Sequence, residues 1–244
     1  MKILQVVEEY VDALLELIYP SKAICYMCNN SIEKEGKYSL CLNCYSAIPF
    51  IQDHYCTKCG IPLRMIEDGP TCEVCKSSHR YFHRAISVVK YEEDIKKLIY
   101  RFKYSSQTYL ARLMGSMMAH KLNQECGAID LILPVPLYRA KERERGFNQA
   151  TLLCKYIAEE TNIPINIDVL IRVKNTKVMH NLSKKERQEN VNDAFKVLDE
   201  WVIMNKNILL VDDIFTTGAT VNVCSRLLTT HGAKSVTVLT FARD

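Results

Sequence analysis

The sequence predicts an α/β protein, a doubly wound and mostly parallel sheet preceded by a small cysteine-rich module. Three observations carry this reading. From residue 85 onward, apolar runs of strand length alternate with amphipathic runs of helix length, the order that builds a parallel sheet covered by helices. Eight of the eleven cysteines fall into four Cys-x-x-Cys pairs in the first third of the chain. The segment Ile208–Thr220, ILLVDDIFTTGAT, runs from apolar strand through an acidic pair into a hydroxyl-rich turn.

With 244 residues, 48% of them hydrophobic, the chain can hold one ordinary domain and one small one. The pattern divides it into an amphipathic helix in 1–22, a zinc-ribbon-like module in 23–82 and a sheet domain in 83–244. The helix is Ile3–Ile18: Ile3, Leu4, Val7, Val11, Leu14, Leu15 and Ile18 share a face, and Pro20 ends it. That stripe packs on the rest of the chain or receives a partner. Glu8, Glu9, Asp12 and Glu16 exclude a signal-peptide core or a membrane span there. No other apolar run reaches spanning length, so a cytoplasmic protein is expected. Charge is uneven: 8 Lys/Arg against 10 Asp/Glu in residues 1–82, and 24 against 18 beyond. A basic second part suits a polyanionic ligand, pyrophosphate or nucleic acid, or else a plain solvated surface.

The four cysteine pairs are Cys25/Cys28, Cys41/Cys44, Cys56/Cys59 and Cys72/Cys75. One knuckle offers two thiolates to a metal and a second completes a tetrahedron, so two structural Zn²⁺ ions are expected. Sequential pairing is the simplest arrangement, Cys25, Cys28, Cys41 and Cys44 on one ion and Cys56, Cys59, Cys72 and Cys75 on the other. An interleaved RING-like pairing is the alternative, and His54, His79 or His83 can replace a thiolate in principle. Closed four-thiolate shells leave no open position, which argues against catalytic metal. Cys126, Cys154 and Cys224 lack partners at metal spacing and read as small core residues.

In the sheet domain the expected elements are a strand at Ala85–Tyr91, helices at Glu93–Lys103 and Thr108–Gln124, and a buried strand at Asp130–Pro136. A charged loop, Leu137–Gly146, then leads into a helix from Phe147 to about Glu160. A strand at Val169–Val173 follows, and Lys174–Asn192 is basic and irregular until Ser183 and Glu186 supply a capping box. The motif strand, a helix at Ala219–His231 and a strand at Ser235–Phe241 close the chain. Arg101-Phe102-Lys103-Tyr104 interleaves cations with rings. Single-stranded nucleic acid favours that combination, although a helix end with Lys and Arg lying over a core Phe has the same composition.

The chemistry concentrates at Asp212–Thr220. Open sheets bind ligands beyond the carboxyl ends of their strands. There the free N–H groups of a helix N-terminus hold a phosphate. Thr216, Thr217 and Thr220 add hydroxyls, while Gly218 and Ala219 let the backbone approach closely. Asp212 and Asp213 can accept hydrogen bonds from ribose hydroxyls. A P-loop is excluded, because no Gly-Lys-Ser/Thr closes the turn.

This segment resembles the 13-residue motif with which type I phosphoribosyltransferases bind 5-phosphoribosyl-1-pyrophosphate (PRPP). The resemblance widens to the ComF family of late-competence proteins. It rests on Leu17-Ile18-Tyr19-Pro20 before Cys25, the paired knuckles, Cys59-Gly60-Ile61-Pro62, Phe102-Lys103-Tyr104, Pro134-Val135-Pro136-Leu137 and Arg145-Gly146-Phe147-Asn148-Gln149-Ala150. It implies a zinc-finger module joined to a phosphoribosyltransferase-like domain, acting in uptake of single-stranded DNA beside a helicase-like partner. One departure stands out: where the family often carries Thr-x-x-Gln-x-x-Leu, this chain has Thr176-Lys177-Val178-Met179-His180-Asn181-Leu182, and Met179 cannot replace an amide.

Two functions are expected from different classes. In one, the chain binds PRPP through Asp212–Thr220 and single-stranded DNA through Arg101, Lys103 and Arg145 during natural transformation. In the other, it is a transferase using PRPP with Mg²⁺ on a base or amine. There Arg139, Lys141, Arg143, Arg145 and Gly146 would grip pyrophosphate and a loop such as Lys174–Lys185 would cover the site. A PRPP sensor that changes partner affinity on closing is a third, blander reading.

Overall fold

The computed structural model describes residues 24–32, 37–52, 54–63, 69–105, 107–174 and 194–244. The expected helix Ile3–Ile18, the Thr176–Leu182 segment and the Ser183/Glu186 capping box lie outside them. The chain forms two compact units, Met1–Ile48 and Pro49–Asp244. Compactness therefore divides it between the two cysteine clusters, and the second cluster groups with the sheet.

In the first unit a knuckle at Cys25–Cys28 precedes α1 (Leu42–Ser46). The second unit begins with the same design: a knuckle at Cys56–Cys59 precedes α2 (Glu73–Ser77). Backbone bonds repeat between them, Cys25 N–H to Asn30 O and Cys56 N–H to Ile61 O, both 2.8 Å. Cys41 and Cys72 are the N-cap residues of the two helices and share the same backbone angles, φ −68° and ψ 158°. Each knuckle turns through a left-handed residue, Asn29 in one and Gly60 in the other. Asn tolerates that conformation, but position 60 also lies against β1 (Arg84–Lys90), where a Cβ would stand 2.9 Å from the Ala85 carbonyl oxygen.

After β1 come α3 (Glu93–Tyr104), α4 (Leu110–Glu125) and β2 (Leu131–Pro134). Then follow α5 (Arg139–Arg145), α6 (Gln149–Thr161), β3 (Leu170–Arg172) and β4 (Phe195–Val197). The chain closes with β5 (Asn207–Phe215), α7 (Ala219–Thr230) and β6 (Ser235–Arg243). The main sheet has the order β1-β6-β5-β2, and every pairing in it is parallel. α4 packs on β1 and β6, α6 on β2 and β5, and α7 on β6 and β4. The central β5 and β6 are buried almost throughout; Ile208–Val211 of β5 is accordingly a continuous apolar run, whereas β6 buries Thr237, Thr240 and Arg243 among its apolar residues. Both edges are covered: Pro49–Ile51 bonds along β1, and Pro164–Asn166 along β2.

Three local expectations change. The stretch expected as a charged loop contains α5, whose seven residues end at Gly146 in a left-handed cap. The strand expected at Val169–Val173 lies outside the main sheet and pairs antiparallel with β4, an element the sequence pattern did not signal. β5 runs on through Phe215, so the acidic pair sits inside the strand rather than beyond its end.

Candidate functional site

The parallel register brings the carboxyl ends of β2 and β5 together. Pro134 lies beside Val211, and the Val135 N–H donates to the Val211 carbonyl at 2.8 Å. Asp212 and Asp213 follow at once, their side chains on opposite sides of the strand. Thr216 and Thr217 are exposed in the turn, and the Thr217 hydroxyl accepts the Ala219 N–H at 3.3 Å. Gly218 caps α7 at φ +75°. A Cβ at this position would sit 2.3 Å from Phe215 Cζ, so the buried ring and the left-handed angle both require glycine. The result is an exposed turn feeding a twelve-residue helix whose first N–H groups have no intrahelical acceptors.

The two carboxylates are treated differently. Asp213 forms an ion pair with Lys103 at 2.6 Å, with side chains 10% and 19% exposed. Asp212 is partly buried and accepts the Asp213 N–H at 2.9 Å. Burial, and then the neighbouring Asp213 charge, push the Asp212 carboxyl up to about 7 against the pull of that N–H, Lys103 and Arg172. The thiols of Cys154 on α6 and Cys224 on α7 are both fully buried and pushed upward by burial and by the Asp212 charge. Asp212 is thus a carboxyl poised between protonation states near neutral pH.

The basic residues separate into two sets. Arg139, Lys141 and Arg143 are exposed on α5, as is Gly146. Arg145 is half-buried and donates to Gln149 Oε1 at 2.9 Å and to the Tyr104 hydroxyl at 3.1 Å, with its guanidinium 5.0 Å from the Tyr104 ring centre. Asn148 caps α6 through its side chain and donates to the Val135 carbonyl at 3.2 Å, fixing the α5–α6 corner to the end of β2. Arg101 bonds Gln107 and the Tyr109 hydroxyl. The run Arg101-Phe102-Lys103-Tyr104 divides by helix face. Phe102 is buried and Lys103 reaches Asp213, whereas Tyr104 is 59% exposed and its ring lies 5.0 Å from that of Tyr100, tilted by 42°, Tyr100 itself being 61% exposed. Lys103, expected against DNA, is therefore committed to the acidic pair. Tyr100, Tyr109 and Asn148 went unnoticed as single residues, because only the fold shows which faces they occupy.

The cysteines form two clusters with sequential pairing, Cys25, Cys28, Cys41 and Cys44, and Cys56, Cys59, Cys72 and Cys75; the four sulfurs of each lie within 4.8 Å of one another. Among the described residues neither cluster includes a histidine. Zinc–thiolate bonds of about 2.3 Å set tetrahedral sulfur separations near ~3.8 Å. Cys28 and Cys41 stand 3.8 Å apart and Cys59 and Cys72 stand 3.7 Å apart, so the clusters fit structural zinc. Backbone N–H groups of Cys59 and Cys72 point at Cys56 Sγ, at 3.5 and 3.3 Å, and would stabilise a bound thiolate.

Comparison with known proteins agrees with this geometry. A double zinc ribbon family model matches residues 14–76, and a phosphoribosyl transferase domain model matches residues 152–244. Competence protein F of Haemophilus influenzae is 29% identical over 90% of this chain and 96% of its own length. Competence protein ComFC of Bacillus subtilis is 29% identical over 91% and 96%, and DNA utilization protein YhgH of Escherichia coli is 26% identical over 90% and 96%. Among solved structures, the glutamine PRPP amidotransferase of B. subtilis aligns at 22% identity and a TM-score of 0.39, covering 55% of this chain and 26% of that enzyme. A hypoxanthine phosphoribosyltransferase of Staphylococcus aureus aligns at 14% and 0.36, covering 57% of this chain and 65% of that one. The architecture is thus a double zinc ribbon joined to a phosphoribosyltransferase-type domain. More particularly, the chain is a homologue of the ComF/ComFC competence proteins.

Proposed function

We propose that this chain binds PRPP at Asp212–Thr220 and single-stranded DNA on the outer face of α3 and the α5–α6 corner, and that it serves DNA uptake. The observation that carries the first half is the turn itself: an acidic pair, two exposed threonines and a Phe215-enforced glycine at the N-terminus of α7. The amides and hydroxyls would hold the 5-phosphate, and Asp212 and Asp213 would accept the ribose hydroxyls. Mg²⁺ would accompany the pyrophosphate, and Arg139, Lys141, Arg143, Arg145 and Gly146, which follow β2 in the chain, would grip it.

The second half is supported by Tyr100, Tyr104 and Tyr109, exposed rings beside Arg101 and Arg145. Bases stack on such rings while guanidinium groups meet phosphates. The names of the relatives, competence and DNA utilization proteins, point the same way. Anisotropy of a labelled oligothymidine tests it. Affinity should fall steeply as salt rises, because phosphate neutralisation releases counterions, and the Arg101→Ala/Arg145→Ala variant should show a shallower slope. Salt-independent affinity, or a variant indistinguishable from wild type, would remove DNA from this face.

The Asp212 carboxyl, pushed up to about 7, favours one further reading, that of an active phosphoribosyltransferase. Pyrophosphate released only when one particular base or amine is supplied would establish it.

A further inference from the structure

The second cysteine cluster and the proposed phosphoribosyl turn are joined through one side chain. Arg243, at the end of β6, is 8% exposed. Its Nε donates to the Cys59 carbonyl at 3.3 Å. Its Nη1 donates to the carbonyls of Phe215 and Thr216, at 3.1 and 2.9 Å, and to that of Asp244. The guanidinium also lies 4.7 Å from the centre of the Phe215 ring. Phe215 in turn meets Phe82 edge-on at 6.0 Å and occupies the space that a side chain at Gly218 would need. One cation therefore clamps the main chain of the knuckle to the main chain of the turn.

Charge gives the clamp a direction. Four thiolates around Zn²⁺ leave a net charge of about −2, and the Cys59 carbonyl belongs to that shell's own backbone. Arg243 is a fixed counter-charge beside it. Losing the metal, with four protons taken up by the freed thiolates, would remove that charge, loosen the knuckle and release one anchor of the guanidinium. Its remaining donors and the Phe215 ring then lose a fixed reference. A second strut parallels the first, with the Tyr81 N–H donating to Asn222 Oδ1 in the opening turn of α7 at 2.8 Å.

We propose that Arg243 is a positioning residue coupling zinc at Cys56, Cys59, Cys72 and Cys75 to the turn Phe215–Thr220, so that metal occupancy and phosphoribosyl affinity reinforce each other. The proposal rests on reading that turn as the PRPP site. Linkage then requires the reciprocal effect, that bound PRPP retains the metal.

The test uses the full zinc-loaded chain. Transfer of zinc to a chromogenic chelator is followed with and without saturating PRPP, and PRPP affinity is measured by calorimetry. In wild type one of two release phases should slow by about fivefold with PRPP, within the usual range of coupling between sites. The Cys44→Ser variant, which impairs the first cluster, should keep that protected phase. Arg243→Gln should load zinc fully, bind PRPP about tenfold more weakly and lose the protection, while Arg243→Lys recovers part of it. Wild-type release rates that ignore PRPP despite measured PRPP binding would overturn the coupling, as would wild-type protection and affinity in Arg243→Gln. A wild type that binds no PRPP would overturn the site reading itself, and the coupling with it. Should Arg243→Gln fail to fold, the wild-type release rates decide the matter.

Discussion

At the scale of single residues, Asp212 makes the sharpest prediction. Its carboxyl titrates near 7 when folded and near ~4 when unfolded. The folded chain therefore holds a proton that the unfolded chain has lost between those values. Its contribution to stability is complete below pH ~4 and disappears as pH rises through about 7. Asp212→Asn should raise the melting temperature by several degrees at pH 8, leave it nearly unchanged at pH 4, and abolish PRPP binding. Thermal melts across that range decide this, and a variant less stable than wild type at pH 8 would contradict it. Gly218→Ala tests the turn by a different route. A Cβ there meets the Phe215 ring at a left-handed φ, a conflict of about 1–2 kcal/mol that should cost PRPP affinity while the sheet survives in circular dichroism. The acidic pair, the glycine and the threonines were all legible in the sequence, since they are consecutive. Lys103 was read as a DNA contact because its partner, Asp213, lies more than a hundred positions away. No local pattern reports such a pair.

Among elements, α3 does two jobs with two faces. Its inner face supplies Phe102 to the core and Lys103 to Asp213; its outer face presents Tyr100 and Tyr104. Removing one partner of a nearly buried ion pair strands the other charge, a loss of about 3–5 kcal/mol. Lys103→Met should therefore lower the urea midpoint strongly, and Lys103→Met/Asp213→Asn should restore much of it. No recovery in the double variant would show that the pair is not the source. On the outer face, Tyr100→Ala/Tyr104→Ala should weaken oligothymidine binding by about 1–3 kcal/mol for each lost stack and leave the urea midpoint almost unmoved. β2 and the opening of β5 were legible because burial on both faces makes continuous apolar runs, Leu131–Pro134 and Ile208–Val211. β3 was legible as a strand within Val169–Val173, but its antiparallel partner β4 has only three residues and carries too little apolar periodicity to announce itself. α5 hid for a related reason: seven mostly charged residues have no apolar face, and only the left-handed Gly146 after them marks a helix end.

For the whole molecule, the repeated knuckle-and-helix design serves two different settings. The sequence displayed the repeat plainly, with corresponding cysteines 31 residues apart. It did not show that Cys56 and Cys59 join the core cluster with Phe82, Ala85 and Phe215, because that depends on β1 and β5 arriving beside them. Among the described residues the first unit, by contrast, buries only Cys25, Leu40 and Ile48. A tight chelator should therefore expose residues before 48 to protease first, and the sheet unit should resist longer. Simultaneous cutting of both would contradict that order.

The central claim is that Ile208–Thr220 is a phosphoribosyl site. Calorimetric titration of PRPP with Mg²⁺ into wild type and into Asp212→Asn/Asp213→Asn tests it most directly. Saturable one-to-one binding in wild type, absent from the double variant although its zinc content and circular dichroism are unchanged, is the predicted result. Equal binding by both proteins, or none by wild type, would contradict it.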